Sequence, residues 1–255
     1  MSARSSGYGE LNWEDDACVE PLDVSFVGAG GEALTVTCEA LGGVELRSTR
    51  PVRAPRLCRG QAHFCGEYWS ATTGTMLAWE SRQELVHLMR LDQGPRWCHL
   101  STQPLRVRFV AEGKVRSHVP DLLAVDDDGS VHVVDVKMTG HLEDPLVRAS
   151  FSATKEAVGR AGWSFAVATE MPSELVANLR WLAGFRRPFL ADAVIARGLL
   201  AVCAEPRPIG TVLASVACKA EARPVLMHLL WTGDLYCALD SLLCDETIVT
   251  AERQA

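Results

Sequence analysis

The sequence predicts an α/β fold, in which a small mixed sheet is flanked by helices. Three strand-like runs follow one another over residues 105–110, 122–125 and 131–136, and turn dipeptides separate them. Patterns typical of amphipathic helices stand on either side of these strands, at residues 75–91 and 150–161. Together with one further strand-like run after the second helix, this order is typical of an α/β sandwich.

The composition is that of an ordinary globular protein. The chain has 255 residues, of which 48% are hydrophobic and 22% are charged, and this length allows one large domain or two small ones. No apolar run approaches the roughly 18 residues that a membrane helix needs. The first residues also lack the apolar core of a signal peptide. We therefore expect a cytoplasmic protein without a membrane partner, in which residues 1–20 form a disordered acidic tail.

The next segment, residues 21–66, is predicted to be rich in β-structure and to contain a basic arm. Residues 23–27 and 34–38 are strand-like and enclose a glycine-rich stretch. That stretch is close to a dinucleotide-binding fingerprint, but such a fingerprint needs a helix directly after the glycines. Alternating apolar residues favour a strand there instead. We therefore expect a hairpin and no nucleotide cofactor.

The basic arm has an arginine at every third position from Arg47 to Arg59, with two prolines in between. This spacing is typical of an extended segment that aligns its guanidinium groups along one edge. Such an arm is either a solvated linker or a contact to a phosphate backbone, made by Arg53, Arg56 and Arg59. The net charge is −7, but residues 33–118 carry twelve basic and seven acidic side chains. A local surface that attracts phosphate is therefore compatible with an acidic chain.

A core over residues 67–172 is expected to end in the strand 163–168, and a helical region is expected over residues 173–255. Within this last region, Ser173 is predicted to cap a helix over 174–185. Two or three short helical patterns and a hairpin-like end follow, which is the outline of a winged helix. The nine cysteines match no common zinc-binding spacing and are predicted to be free thiols.

The residues that point to chemistry lie at the ends of two neighbouring core strands. Pro120 and Asp121 open one strand, and Asp135 and Lys137 end the next. Because a hairpin brings these ends together, we expect Asp121 to lie beside Asp135. Side chains alternate along a strand, so Lys137 should share the face of Asp135 while Val136 points into the core. Two adjacent carboxylates repel each other unless a cation lies between them, and such oxygen ligands suit Mg²⁺ or Mn²⁺.

Glu80, predicted on the helix over 75–91, would supply a third carboxylate, either to the same metal or to a second one. The predicted metal ligands are Glu80, Asp121, Asp135 and Val136. Lys137 would help to deprotonate or orient the attacking water and would stabilise charge that develops on phosphorus. Alternatively, Asp135 and Lys137 form an exposed ion pair at the end of the strand, which would contribute little to stability.

Four further polar residues are candidate DNA contacts: Arg82, Gln103, His118 and Lys155. Arg82 and Lys155 could contact phosphates, although solvated charges are the simpler interpretation. His118 could approach a phosphate or be a hydrogen-bonded structural residue. Gln103 could orient water or substrate, or be a polar residue at the sheet edge. The acidic run at residues 126–128 lies in the predicted turn and is expected to be solvated.

This arrangement resembles the PD-(D/E)XK nuclease superfamily. Its motif matches Pro120-Asp121 and Asp135-x-Lys137, preceded by Glu80. Further blocks between about residues 50 and 188 resemble the TnsA-like endonuclease subunits of heteromeric transposases. These blocks are Gly60-Gln61, the stretch 68–74, the predicted helix with Glu80-Ser81, Ser101-Thr102-Gln103-Pro104, His118-x-Pro120-Asp121 and the stretch 178–184.

The resemblance implies a restriction-endonuclease-like core and metal-dependent cleavage of double-stranded DNA at transposon ends. It also implies a DDE-type transposase subunit and an ATPase regulator as partners. Glu80, Asp121, Asp135 and Lys137 would take the four active-site positions. Asp135 stands where the best-known member carries Gln, and the added charge should tighten metal binding. Two alternatives remain: a stand-alone nuclease of the same superfamily in defence or repair, and a non-catalytic DNA-binding assembly subunit.

Overall fold

A computed structural model describes residues 19–53, 64–188, 192–216 and 219–252 of the chain. The predicted acidic tail therefore lies almost wholly outside the described residues, and so do Arg56 and Arg59 of the basic arm. The chain divides into two compact units. The first contains the described residues up to Trp69, with Thr75–His87 and Trp97–Glu170; the second contains Ser70–Gly74, Leu88–Arg96 and the described residues from Met171 onward.

The first unit is built on two four-stranded sheets and a separate hairpin. Its strands are β1 (Pro21–Val27), β2 (Ala33–Val36), β3 (Gly66–Trp69), β4 (Met76–Trp79), β5 (Trp97–Thr102), β6 (Arg106–Ala111), β7 (Lys114–His118), β8 (Leu122–Asp126), β9 (Val131–Val136) and β10 (Ser164–Ala168). The sheet orders are β2-β1-β6-β7 and β10-β9-β8-β5, while β3 pairs with β4. Strands β9 and β10 are parallel and the other pairings of their sheet are antiparallel. The prediction of a mixed α/β architecture is therefore confirmed.

Strands β1 and β2 form the predicted hairpin, and β1 also pairs with β6. The described part of the segment 21–66 thus shares a sheet with strands assigned by sequence to the core. Strands β5 and β7 were not predicted. Both carry polar side chains at several positions, and β7 lies at the edge of its sheet, where a strand needs little apolar character.

One apolar core joins both sheets of the first unit. It contains Val24 of β1, Val107 of β6, Leu123 of β8 and Val133 of β9, all of them fully buried. Helix α2 (Pro145–Arg160) packs its buried alanines into the same core. This helix connects β9 to β10, and the crossover makes their parallel pairing possible.

Helix α2 begins five residues earlier than the predicted start at residue 150, because it has a strong start signal. The Asp144 carboxylate accepts a hydrogen bond from the Leu146 N–H at 2.8 Å, and Pro145 occupies the first turn. We expect Asp144→Ala to lower the free energy of unfolding by about 1 kcal/mol, as measured by chemical denaturation. Asp127→Ala, in an exposed turn, is the control and should change stability by less than about 0.5 kcal/mol.

The predicted helix over residues 75–91 was wrong in its first part. Residues Met76–Trp79 form strand β4, and helix α1 runs only over Arg82–Asp92. Ser81 explains this boundary, because its Oγ accepts a hydrogen bond from the Glu84 N–H at 3.1 Å, while the Glu84 carboxylate accepts one from the Glu80 N–H at 2.8 Å. This exchange is a form of the capping box and begins a helix directly after Ser81. Glu80 consequently precedes the helix.

The second unit is mainly helical, as predicted. Its elements are α3 (Ser173–Leu182), α4 (Ala193–Val202), β11 (Arg207–Pro208), α5 (Ile209–Ala214), α6 (Lys219–Thr232) and β12 (Ile248–Val249). The two short strands pair antiparallel. Ser173 is the first residue of α3 and makes no capping bond, since its hydroxyl donates to the neighbouring Glu174; the predicted cap was wrong. The winged-helix interpretation of this unit stays a prediction. None of the helices in the described ranges combines the length and apolar character that a membrane span requires.

Candidate functional site

Three polar residues lie in one row across adjacent strands of the first unit. Thr102 of β5 is paired with Leu122 of β8, which is paired with Val134 of β9. One position beyond that row come Gln103, Asp121 and Asp135, and the Gln103 N–H donates to the Asp121 carbonyl at 2.9 Å. The β8–β9 turn sets this register through Gly129, whose φ of 87° requires a glycine. The hairpin therefore brings Asp121 beside Asp135, as expected from the sequence.

Asp121 is buried, with 9% of its surface exposed. Its Oδ2 accepts a hydrogen bond from the Val136 N–H at 2.8 Å. Burial raises the pKa of this carboxyl well above its ordinary value, and the negative charges of Asp135 and Glu84 raise it further. The Val136 N–H and the Arg53 guanidinium lower it only in part. The negative charge of these carboxylates is therefore only partly compensated by the Val136 N–H and by Arg53.

Asp135 is more deeply buried, at 2% exposure. Its Oδ2 lies 2.8 Å from Nε2 of His118, the last residue of β7. The expectation that Val136 points into the core was wrong, because Val136 is only partly buried. Asp135 instead continues the face of β9 that carries Val133, and that face packs into the core against α2. His118 is therefore a partner of a buried carboxylate.

Lys137 directly follows β9 and is half-buried. Its N–H donates to the Ala168 carbonyl at 2.8 Å, which continues the parallel pairing by one residue. Strand alternation assigns its side chain to the same side as Asp135.

Glu80 and Glu84 have different surroundings. The Oε2 of Glu80 forms an ion pair with Arg53 at 2.5 Å, and both side chains are partly exposed. Glu84 is buried, with 7% exposure, and burial raises the pKa of its carboxyl. Its charge also acts on Asp121. Glu84 was not among the residues predicted from the sequence, although Ser81-x-x-Glu84 is the pattern of a capping box.

The remaining candidate DNA contacts have different surroundings in the first unit. The Arg82 guanidinium lies over the Phe64 ring, 4.4 Å from its centre. Lys155 is exposed on α2. Gln103 is fully buried, so it is not a surface contact. Arg53, by contrast, is close enough to the carboxylates to lower the pKa of both Asp121 and Glu84.

The carboxylates of Asp121, Asp135 and Glu84 are oxygen ligands of the kind that a hard divalent cation prefers. The carboxylates are not gathered into a three-ligand cluster, however. Within the described ranges, the only three potential ligand atoms all within 4.8 Å of one another belong to Asp126, Asp127 and Asp128. These residues lie in the β8–β9 turn, where Asp126 and Asp128 accept hydrogen bonds from turn N–H groups. Asp127 and Asp128 are exposed, as expected from the sequence.

No protein-family model matches the chain, and a comparison with curated proteins gives no match either.

Proposed function

We propose that this protein is a Mg²⁺- or Mn²⁺-dependent DNA endonuclease of the PD-(D/E)XK type. One observation carries the proposal: Asp121 and Asp135 are buried side by side on adjacent strands, and burial together with the negative charge of Asp135 raises the pKa of Asp121. A protein retains two such carboxylates at the expense of stability unless they have a ligand. A divalent cation is the ligand that relieves this repulsion.

The cation would be held by Asp121, Asp135 and the Val136 carbonyl, with Glu84 or Glu80 as a further carboxylate. When bound, such an ion polarises a phosphate oxygen and makes a water molecule more acidic. The protein itself fixes the carboxylates in advance. The Val136 N–H holds Oδ2 of Asp121, and His118 holds Oδ2 of Asp135. The second oxygen of each carboxylate is thereby turned to a defined position.

Two cationic residues complete the proposed mechanism. Lys137, on the side of Asp135, supplies a positive charge for the negative charge that develops on the phosphate. Arg53 pairs with Glu80 in the present structure and belongs to the basic arm. A guanidinium binds phosphate as readily as carboxylate. We therefore expect Arg53 to leave Glu80 and to contact a backbone phosphate when DNA binds.

The resemblance to TnsA-like subunits supports a more specific proposal. In it, the protein cuts double-stranded DNA at transposon ends and works with a DDE-type transposase subunit and an ATPase regulator. A stand-alone nuclease of the same superfamily would need no such partners. Plasmid cleavage by the purified chain alone, equal to that with both partners present, would favour this alternative.

Lys137 provides the direct test of the nuclease proposal. We expect the wild-type protein to nick plasmid DNA with Mg²⁺ or Mn²⁺ and to lose this activity in a chelator. Lys137→Ala should lower the nicking rate by about 10²-fold or more, because a neutral side chain leaves the developing charge on phosphorus unbalanced. The control is Lys114→Ala, an exposed residue of β7, which should cleave at the wild-type rate.

The non-catalytic alternative makes the opposite prediction. A DNA-binding assembly subunit would shift plasmid DNA in a gel but would never cut it, with either metal and with all partners present. That result, or unchanged cleavage by Lys137→Ala, would contradict the proposal.

A further inference from the structure

Gln103 is buried completely, yet its side-chain amide is unpaired. Its exposure is 0%, and neither Oε1 nor Nε2 has a hydrogen-bond partner among the described residues. Leaving a buried donor or acceptor unsatisfied destabilises the folded state. Buried polar groups are nearly always paired, so each exception requires an explanation.

The backbone of Gln103 is also in an unfavourable conformation. Its φ of 45° lies in the left-handed region, which a residue with a long side chain rarely adopts. Two main-chain hydrogen bonds maintain this conformation: the Gln103 N–H donates to the Asp121 carbonyl, and the Val52 N–H donates to the Gln103 carbonyl, both at 2.9 Å. A strained residue that the surrounding structure holds in place is characteristic of functional sites.

The row of strand pairings connects Gln103 to the carboxylates. Gln103 is the neighbour of Asp121, and Asp135 is the next residue in the row. Neighbouring strands lie about 5 Å apart, which is within the length of a glutamine side chain. The unpaired amide therefore belongs to the same part of the sheet as the candidate metal ligands.

The chemistry of the amide indicates which ligand it takes. Oε1 only accepts hydrogen bonds, and the Nε2 group only donates them. A phosphate offers acceptors alone and would leave Oε1 unpaired. A water molecule both donates and accepts, so it satisfies both ends of the amide. It is also small enough for a buried site.

We propose that Gln103 orients the water that attacks the DNA phosphate. This inference rests on the proposed nuclease function and adds a positioning residue to it. In the reaction, the water oxygen bonds to phosphorus while the bond from phosphorus to the 3′ oxygen breaks. The 3′ oxygen takes up the proton that the water gives up, which leaves 5′-phosphate and 3′-hydroxyl ends. Gln103 exchanges no proton; it sets the direction of the water.

Gln103→Met tests this proposal, because methionine keeps the length of the side chain and removes its polar atoms. We expect single-turnover cleavage to fall by about 10²-fold, while the dissociation constant for DNA stays unchanged, since Gln103 is buried. The melting temperature of the metal-free variant should stay the same or rise by about 2–4 °C. Removal of an unpaired buried group produces such a rise, whereas loss of a structural residue produces a fall.

Gln93→Met is the matched control. The Gln93 amide is paired, since it donates to the Leu230 carbonyl and accepts from Arg90. This variant should therefore lose stability and keep the wild-type cleavage rate. Gln103→Asn is a second variant in case methionine does not fit. Asparagine tolerates the left-handed conformation, but its amide is one methylene shorter, so cleavage should again fall.

Two outcomes would overturn the proposal while the nuclease function stands: wild-type cleavage by both Gln103 variants, or a loss of rate that only accompanies a lower melting temperature. Failure of the nuclease function itself has a different signature. In that case the wild-type protein does not cleave with either metal, or Asp121→Asn cleaves as fast as the wild type, and the proposal for Gln103 fails with it.

Discussion

Replacing Asp121 by Asn should abolish metal-dependent DNA cleavage and, at the same time, stabilise the metal-free protein at neutral pH. The loss of activity is expected to exceed about 10³-fold, because the variant removes one of the carboxylates that would hold the cation. The gain in stability is expected because the native carboxylate is buried beside Asp135 and near Glu84. An asparagine has similar size and carries no charge. Its amide oxygen can still accept the hydrogen bond from the Val136 N–H.

The pH dependence of this gain follows from the direction of the pKa shift. Asp121 has a raised pKa in the folded protein, so its protonated form favours folding. That contribution is fully present below the ordinary pKa of an aspartic acid and is lost as the pH rises through the folded-state pKa. Asp121→Asn should therefore be more stable than the wild type at pH 7, by on the order of 1 kcal/mol, and about equally stable at pH 3.

Chemical denaturation between pH 3 and pH 8, with and without Mn²⁺, measures the gain in stability at each pH and the stabilisation by the bound metal. Mn²⁺ should raise the free energy of unfolding of the wild type and should leave that of Asp121→Asn nearly unchanged. Asp127→Asn is the control, because Asp127 lies in the exposed turn. This variant should behave as the wild type in DNA cleavage and in chemical denaturation. A variant at position 121 that cleaves normally, or that is less stable at pH 7, would show that Asp121 is an ordinary structural acid.

The hairpin that places Asp121 beside Asp135 could be predicted because its determinants are local. Gly129 sits at a turn position with positive φ, and the runs on either side alternate or are wholly apolar. A turn of known type between two such runs fixes the register of the strands. Glu112 and Gly113, which have φ of 52° and 69°, likewise form the predicted turn after β6, although the strand β7 that follows it was not predicted. Short-range rules were sufficient for these two turns.

The boundary between β4 and α1 could have been predicted from a local signal that was missed. The apolar residues at 76, 77 and 79 fit one turn of a helix as well as a strand, so periodicity alone does not decide between them. Ser81 and Glu84 form a capping pattern that does decide. With that pattern, Glu80 falls outside the helix.

The properties of Glu84 and Gln103 could not be predicted from local rules. Glutamate and glutamine side chains are normally exposed, and only the tertiary packing buries these two. The left-handed conformation of Gln103 likewise depends on main-chain bonds to Asp121 and Val52, which are distant in sequence. When a residue of a normally exposed type is buried, function is expected to have outweighed the structural preference of that residue.

Glu84 leads to the second large effect: Glu84→Gln should lower the cleavage rate far more than Glu80→Gln does. Glu84 is buried and its charge acts on Asp121, whereas Glu80 is partly exposed and is paired with Arg53. We expect a loss of about 10²-fold or more for the buried position. Glu80→Gln breaks the partly exposed ion pair with Arg53, which should change the free energy of unfolding by less than about 1 kcal/mol.

The two variants are matched, because each replaces a carboxylate by an amide of the same size. In Glu84→Gln, the amide oxygen can still accept the hydrogen bond from the Glu80 N–H, so α1 should keep its start. Since the pKa of Glu84 is raised, the metal-free variant should be at least as stable as the wild type above the ordinary pKa of a glutamic acid. Mn²⁺ should stabilise Glu80→Gln as it does the wild type and stabilise Glu84→Gln less. If Glu80→Gln instead lowered the cleavage rate more than Glu84→Gln, Glu80 and not Glu84 would be the third carboxylate of the proposed metal site.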